Sequence, residues 1–133
     1  MNAKRFFSTC GQNLIEYAIT LPVFLLIVFG IFDLGRAVYY YSAIFNAARD
    51  GARYGSVHPE APSDEVIDRV EYWLDALDPS KTTISTSCST ETMSCVTVSY
   101  SFDAVTPIIG LFLGGDNQIT LGTRSRMPFE YIP

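Results

Sequence analysis

Glu16 is a single carboxylate at the edge of the most apolar part of the chain. The segment that follows it, from Ala18 to Phe32, contains no charged residue. Moving a charge to the centre of a lipid bilayer costs about 2.5 to 3.5 kcal/mol on insertion scales, so a carboxylate here needs a reason. Either its side chain reaches the polar headgroups, or it meets a positive charge from another molecule within the membrane.

The three cysteines are the second candidates for chemistry. Cys10 precedes the apolar segment, whereas Cys88 and Cys95 lie far beyond it. In an oxidising compartment the latter pair can form a disulfide, which would stabilise the fold by about 2.5 kcal/mol in the chain-entropy model. In a reducing compartment they are two small unpaired residues of a polar strand. Neither a histidine nor a second cysteine pair accompanies them, so we expect no metal site.

The other polar residues show no catalytic pattern. His58, the one histidine, precedes a proline in a segment typical of a turn. The sequence has no phosphate-binding glycine loop, nucleophile elbow or metal motif. Four acidic residues at helical spacing are interpreted as a solvated helix face: Asp64, Asp68, Glu71 and Asp75. We therefore expect no enzymatic activity, no cofactor and no small-molecule substrate.

Net charge and composition restrict the class of protein and its partners. From Arg36 to the end, the chain has seven Lys or Arg and twelve Asp or Glu. Nucleic acid binding requires a basic surface that replaces counterions, so a nucleic acid partner is excluded. The chain of 133 residues is 48% hydrophobic and only 17% charged, which excludes disorder as its main state.

The apolar segment is long enough to hold these residues in a membrane. From Leu14 to Leu34, a helix would measure about 31 Å, which matches the hydrocarbon core of a bilayer. Lys4 and Arg5 precede it, which predicts an N-terminus in the cytoplasm and a C-terminal part outside. The segment is a cleaved secretory signal peptide, an uncleaved signal anchor, or a prepilin-type signal that is cut before the apolar residues. Bulky residues after the span argue against a signal-peptidase site.

The residues around Gly11 favour the prepilin-type signal. Gly11 is followed by four residues and then by Glu16 and Tyr17, which resembles the processing motif of tight-adherence (Flp-type) pilins. The resemblance implies cleavage after Gly11 by a prepilin peptidase, with Gln12 as the first mature residue. The new ammonium group of Gln12 would then pair with Glu16 of a neighbouring subunit and set the register between subunits. Snorkelling of Glu16 to the headgroups is the alternative.

The helical pattern continues beyond the span, as far as His58. Asp33 and Arg36 lie three residues apart and are expected to pair at the outer interface, and three tyrosines at 39–41 suit the headgroup level. Small residues then recur at every fourth position and predict close helix packing: Ala43, Ala47, Gly51 and Gly55. Three residues beside them are expected to face a domain core: Ile44, Phe45 and Ala48.

The rest of the sequence predicts a second helix and a sheet. Ser63 is expected to cap a helix that ends at Pro79 and buries the only tryptophan, Trp73. Alternating residues predict strands over 82–88, 95–103 and 119–127, and the apolar segment 107–115 would cover the sheet or protrude as a contact tip. The expected fold is α+β: a long N-terminal transmembrane helix that extends into a small, pilin-like domain with a second helix and a three- to four-stranded antiparallel sheet.

A longer stretch resembles the N-terminal signature of TadE-like pilus-assembly proteins. The matching elements are Glu16-Tyr17, Leu21-Pro22, Gly30, Asp33, Gly35-Arg36 and Ala47 to Tyr54. The resemblance implies a membrane-anchored minor pseudopilin of a tight-adherence (type IV) pilus, which packs against other pilins or pseudopilins and is processed by a prepilin peptidase. It implies a leader over 1–11, an anchor over 12–35 and an extracytoplasmic domain over 36–133.

The implied location is the bacterial cytoplasmic (inner) membrane, in a single pass with the N-terminus in the cytoplasm. Two other functions stay open. The chain is either a structural subunit of the filament itself or a stand-alone, membrane-anchored extracytoplasmic binding module. Bulk subunits of this pilus class are usually much shorter and lack an outer domain, which favours the minor role.

Overall fold

One long helix, α1 (Phe7–Val57), carries the rest of the fold. The structure is a computed structural model that describes residues 7–106 and 117–130, with side chains from Gly11 onward. The 51 residues of α1 extend for about 75 Å and include Pro22. Among the described residues, α1 is the one helix long and apolar enough to cross a membrane. The apolar segment 107–115 lies outside the described residues.

A second helix, α2 (Ser63–Trp73), packs beside the C-terminal half of α1 and buries Val66 and Val70. The prediction that Ser63 is the N-cap was wrong. Pro62 occupies that position, Ser63 is the first helical residue, and no side chain caps the helix. Asp64 and Glu65 do lie in the first turn, where their charges favour the helix dipole.

The end of α2 also differs from the prediction, because the helix stops six residues before Pro79. A residue before proline is driven out of the helical region, and Asp78 is extended. The chain from Leu74 to Leu77 therefore leaves the helix through two tight turns, in which Leu74 N–H donates to Glu71 O and Leu77 N–H to Leu74 O. Both leucines are buried in this way.

Three strands form an antiparallel sheet in the order β1 (Thr82–Ser85), β2 (Met93–Asp103) and β3 (Gln118–Pro128). The inward residues of β2 are those that the alternation predicts: Val96, Val98, Tyr100 and Phe102. β1 ends three residues earlier than predicted, because Ser89 N–H donates to Thr86 O and turns the chain. The observed fold is thus the predicted α+β arrangement, with three strands among residues 7–106 and 117–130.

The core lies between the sheet, α2 and the C-terminal half of α1. Two of the three residues predicted to face it, Ile44 and Ala48, are fully buried, whereas Phe45 is 43% exposed and that prediction was wrong. Phe45 lies on the side of α1 that faces away from the sheet. Trp73 is 51% exposed rather than buried, because α2 presents Val70 and Leu74 to the core and leaves the indole at its flank.

Candidate functional site

The predicted processing residues lie together on the first turns of α1 that have described side chains. Gly11, Gln12, Glu16 and Tyr17 are all helical and exposed. Gln12 and Glu16 are four residues apart, so they lie on the same face of the helix. The structure therefore presents the carboxylate on an open surface next to the predicted new N-terminus, where another molecule can reach both groups.

The apolar half of α1 is exposed along its length. Most of its large side chains from Leu14 to Leu34 are between 38% and 74% exposed, and none of them belongs to the hydrophobic core of the domain. Exposed apolar area costs about 25 cal/mol per Å² in water. Lipid or other helices must therefore cover this half of α1.

Asp33 ends the apolar half and is almost completely buried. One carboxylate oxygen accepts a hydrogen bond from Val105 N–H at 2.9 Å, and the other accepts from Thr106 N–H at 2.7 Å and Thr106 Oγ1 at 2.6 Å. The predicted partner, Arg36, lies farther away, with its Nη1 at 3.7 Å from Asp33 Oδ1. Asp33 thus fastens the end of the span to the chain that leaves β2.

Arg36 reinforces this junction from the other side. Its Nη1 donates to Asp103 O at 3.3 Å, and its guanidinium lies over the rings of Tyr40 and Phe102 at 5.7 and 5.5 Å. The ring of Tyr40 in turn packs against Tyr100, with centroids 4.8 Å apart. Of the three tyrosines expected at headgroup level, Tyr40 therefore faces the domain, while residues 39 and 41 stay exposed.

The small residues of α1 lie under the domain. Ala47, Gly51 and Gly55 are buried and Ala43 is half-buried. A Cβ at Gly51 would collide with the side chain of Val70, and one at Gly55 would collide with Ser94. The structure therefore brings these residues against α2 and the sheet of the same chain.

Asp50 binds α2 to α1 at the surface. Its Oδ2 accepts hydrogen bonds from Arg69 Nε and Trp73 Nε1, each at 2.8 Å. One turn later, the Tyr54 hydroxyl donates to Glu65 Oε1, and this hydrogen bond raises the pKa of Tyr54. These contacts explain why Trp73 lies at the surface, since its indole N–H needs an acceptor and Asp50 supplies one there.

A model of the TadE-like protein family matches residues 11–53 of the chain. Over this segment the chain is similar to the TadE-like family. This similarity implies involvement in a tight-adherence pilus. Among the described residues, one helix is long and apolar enough to cross a membrane, which suggests a single-pass membrane protein. No curated protein matches the chain, and no solved structure matches it either.

The TadE-like segment contains the processing residues and one side of each junction. Asp33, Arg36 and Asp50 lie within it, whereas their partners Thr106 and Trp73 lie beyond it. Sequence reasoning missed Thr106 completely, because a partner more than seventy residues away leaves no periodic signal. For Asp50 the sequence did contain a signal, because the indole N–H of Trp73 requires a hydrogen-bond acceptor. The prediction from apolar spacing did not take this N–H into account.

Cys88 and Cys95 form a disulfide, as the cysteine pattern predicts for an oxidising compartment. The bond closes the turn between β1 and β2, and Cys95 is fully buried. Ser89 Oγ accepts from Cys95 N–H at 3.0 Å within this turn. Among residues 7–106 and 117–130, no group of three or more His, Cys, Asp or Glu is placed to hold a metal ion.

Proposed function

We propose that the protein is a membrane-anchored minor pseudopilin that takes part in assembly of a tight-adherence pilus and is cut by a prepilin peptidase. The observation that carries the proposal is the TadE-like match over residues 11–53, which covers the predicted cleavage site and most of α1. The proposed location is the cytoplasmic (inner) membrane, with the N-terminus in the cytoplasm and the domain outside.

The arrangement of α1 supports a subunit that docks by its helix. Its first half exposes mostly apolar side chains to the surroundings, while its second half holds the domain on one face. We divide the chain by function into a leader over 1–11, an anchor over 12–35 and a domain over 36–133. The helix α1 continues without a break through both boundaries. Asp33, in the proposed anchor, is held by the domain and ties the two parts together.

The orientation is supported by charge and by the disulfide. Lys4 and Arg5 favour the cytoplasmic side of the membrane. The Cys88–Cys95 bond requires an oxidising environment, which lies outside the cytoplasm. The two observations support an orientation with opposite ends of the chain on opposite sides of the membrane.

Processing at Gly11 requires a local change in α1. The structure has Gly11 in helical conformation, whereas a peptidase takes an extended backbone. Glycine in a helix interior costs about 0.5 to 1 kcal/mol relative to alanine, so unwinding at this position is easier than at its neighbours. Glycine also presents no side chain to the peptidase.

Glu16 is the proposed registry residue of the mature subunit. Its exposed carboxylate can neutralise the ammonium group at Gln12 of a neighbour, and this pair would compensate two charges that are costly in lipid. A carboxylate that only snorkels would contribute nothing to the contact between subunits.

Complementation of a deletion strain tests the proposal. The deletion should abolish pili, the wild-type gene should restore them, and Glu16→Ala should insert into the membrane but restore few or no pili. Asn13→Ala, at an exposed polar neighbour, is the matched control and should restore them. Normal piliation of the deletion strain would contradict the assembly role and favour a stand-alone binding module, whereas normal piliation with Glu16→Ala would contradict only the registry role.

A further inference from the structure

A groove of about 380 Å³ lies where α1 and α2 meet, on the side away from the sheet. Its lining comes from both helices: Ala43, Asn46, Arg49, Asp50, Arg53 and Trp73. The membrane anchoring does not use this surface, and of its lining residues only Asp50 and Trp73 take part in a junction described above.

The groove is positively charged. Asp50 forms an ion pair with Arg69, with Asp50 Oδ2 and Arg69 Nε 2.8 Å apart, so its charge is already matched. Arg49 and Arg53, one turn apart on α1, are both exposed and leave the groove with a surplus of two positive charges. An occupant with carboxylates at helical spacing would complement them.

Aromatic side chains extend the groove along α1. Trp73 is 51% exposed at one wall, and the stacked rings of Tyr41 and Phe45, at 47% and 43% exposure, continue the surface toward the membrane. Arginine, tryptophan and tyrosine are the residues enriched at the energetic centres of protein interfaces. This composition indicates a protein occupant rather than a small ion.

The chain itself carries the complementary surface. Four exposed carboxylates form one ridge along α2 and the turn that follows it, opposite to the buried residues Val66 and Val70: Asp64, Asp68, Glu71 and Asp75. Because the ridge points away from α1, it cannot enter the groove of its own molecule. It is free to enter the groove of another copy.

We propose that the groove of one copy binds the acidic α2 ridge of a second copy. The contact joins two different surfaces, so each bound copy leaves one groove and one ridge open, and such head-to-tail contacts extend into rows. This inference rests on the assembly role proposed above and names the partner surface for it outside the membrane.

Charge exchange between the two surfaces tests this contact on the full chain in detergent micelles. The groove variant carries Arg49→Glu and Arg53→Glu, and the ridge variant carries Asp68→Lys and Asp75→Lys. Energy transfer between labelled copies measures association. The wild type should associate in low salt and dissociate as salt rises. Each variant alone should associate about tenfold or more weakly, and an equimolar mixture of the two should regain association.

A control variant makes the same change of charge elsewhere. Arg124→Glu with Arg126→Glu alters two exposed residues of β3 outside the groove and should associate like the wild type. A monomeric wild type, undiminished association of the groove variant, or a mixture that fails to recover would each overturn the proposal. If the chain is cleaved before Gln12 but stays monomeric, this contact is refuted and the assembly role is not. If the chain is not cleaved but associates through the groove, the proposed processing is refuted and the contact between copies is supported.

Discussion

Asp33 is the residue through which the apolar half of α1 is hydrogen-bonded to the outer domain. Three donors of the segment that follows β2 converge on its carboxylate, and Arg36 supplies a positive charge beside it. Hydrogen bonds to a charged group each stabilise by about 1.5 to 3 kcal/mol, and donors left buried without an acceptor cost a similar amount. The position of the segment after β2 relative to the apolar half of α1 therefore depends on this side chain.

Replacement of Asp33 by alanine should loosen the chain after β2 while leaving the rest of the domain folded. Hydrogen exchange of the full chain in detergent micelles measures this, because the amides of Val105 and Thr106 lose their acceptor. We expect their exchange to be about tenfold or more faster, equivalent to at least about 1.4 kcal/mol.

Asp50→Ala is the matched control, since it removes another carboxylate of α1 that binds a different element. It should shift the fluorescence of Trp73 and leave the exchange of Val105 and Thr106 unchanged. Unchanged exchange in Asp33→Ala would mean that the junction is held by other contacts.

At the scale of single residues, the sequence indicated which charged residues matter but not which groups form hydrogen bonds with them. The spacing of Asp33 and Arg36 predicts their proximity, but the stronger partners of Asp33 come from a distant segment that only the folded chain brings near. The prediction that Trp73 is buried was wrong because it considered only the apolar surface of the indole ring and not its polar N–H. Its N–H makes the surface position beside Asp50 favourable.

At the scale of elements, α1 was the most predictable, because its apolar length and helical spacing persist over more than forty residues. Phe45 shows the limit of such a pattern. The helix has apolar residues on two sides beyond the membrane, and periodicity alone does not say which side the sheet covers. The packing of Gly51 and Gly55 decides it, since only their side of α1 admits close approach.

Gly51→Ala should destabilise the domain, although alanine is normally the better helix residue. The added methyl would collide with Val70, and overpacking a filled core costs about 1 to 3 kcal/mol, which exceeds the gain in helix propensity of about 1 kcal/mol. Denaturant unfolding followed by Trp73 fluorescence should show a net loss. Gly35→Ala, where an added Cβ meets nothing within 4 Å, should show none. Equal stability of the two variants would contradict the close packing.

The turn between β1 and β2 should depend on its disulfide. Reduction of Cys88–Cys95 should lower the free energy of unfolding by about 2.5 kcal/mol in the chain-entropy model. In the Cys88→Ser variant, the same reductant should have no effect on stability. If reductant does not change the stability of the wild-type protein, strand pairing alone holds the turn.

At the scale of the whole molecule, the fold class followed from three successive patterns along the chain: a long apolar helix, a short amphipathic helix and alternating strands. The sheet order β1-β2-β3 is also predictable, because consecutive antiparallel strands usually pair with their neighbours in sequence. The shared docking of α2 and the sheet on one side of α1 depends on packing between distant segments, so it emerged only from the structure. Among the described residues, that arrangement leaves one side of α1 uncovered, which is the side that the proposed contacts between subunits would use.

The most direct test of the central claim is the N-terminal sequence of the protein purified from membranes of cells that contain a prepilin peptidase. A processed pseudopilin should begin at Gln12, and the intact mass should correspond to loss of residues 1–11. In cells that lack the peptidase, the same gene should yield the longer chain. Retention of Met1 in the presence of the peptidase would contradict the account.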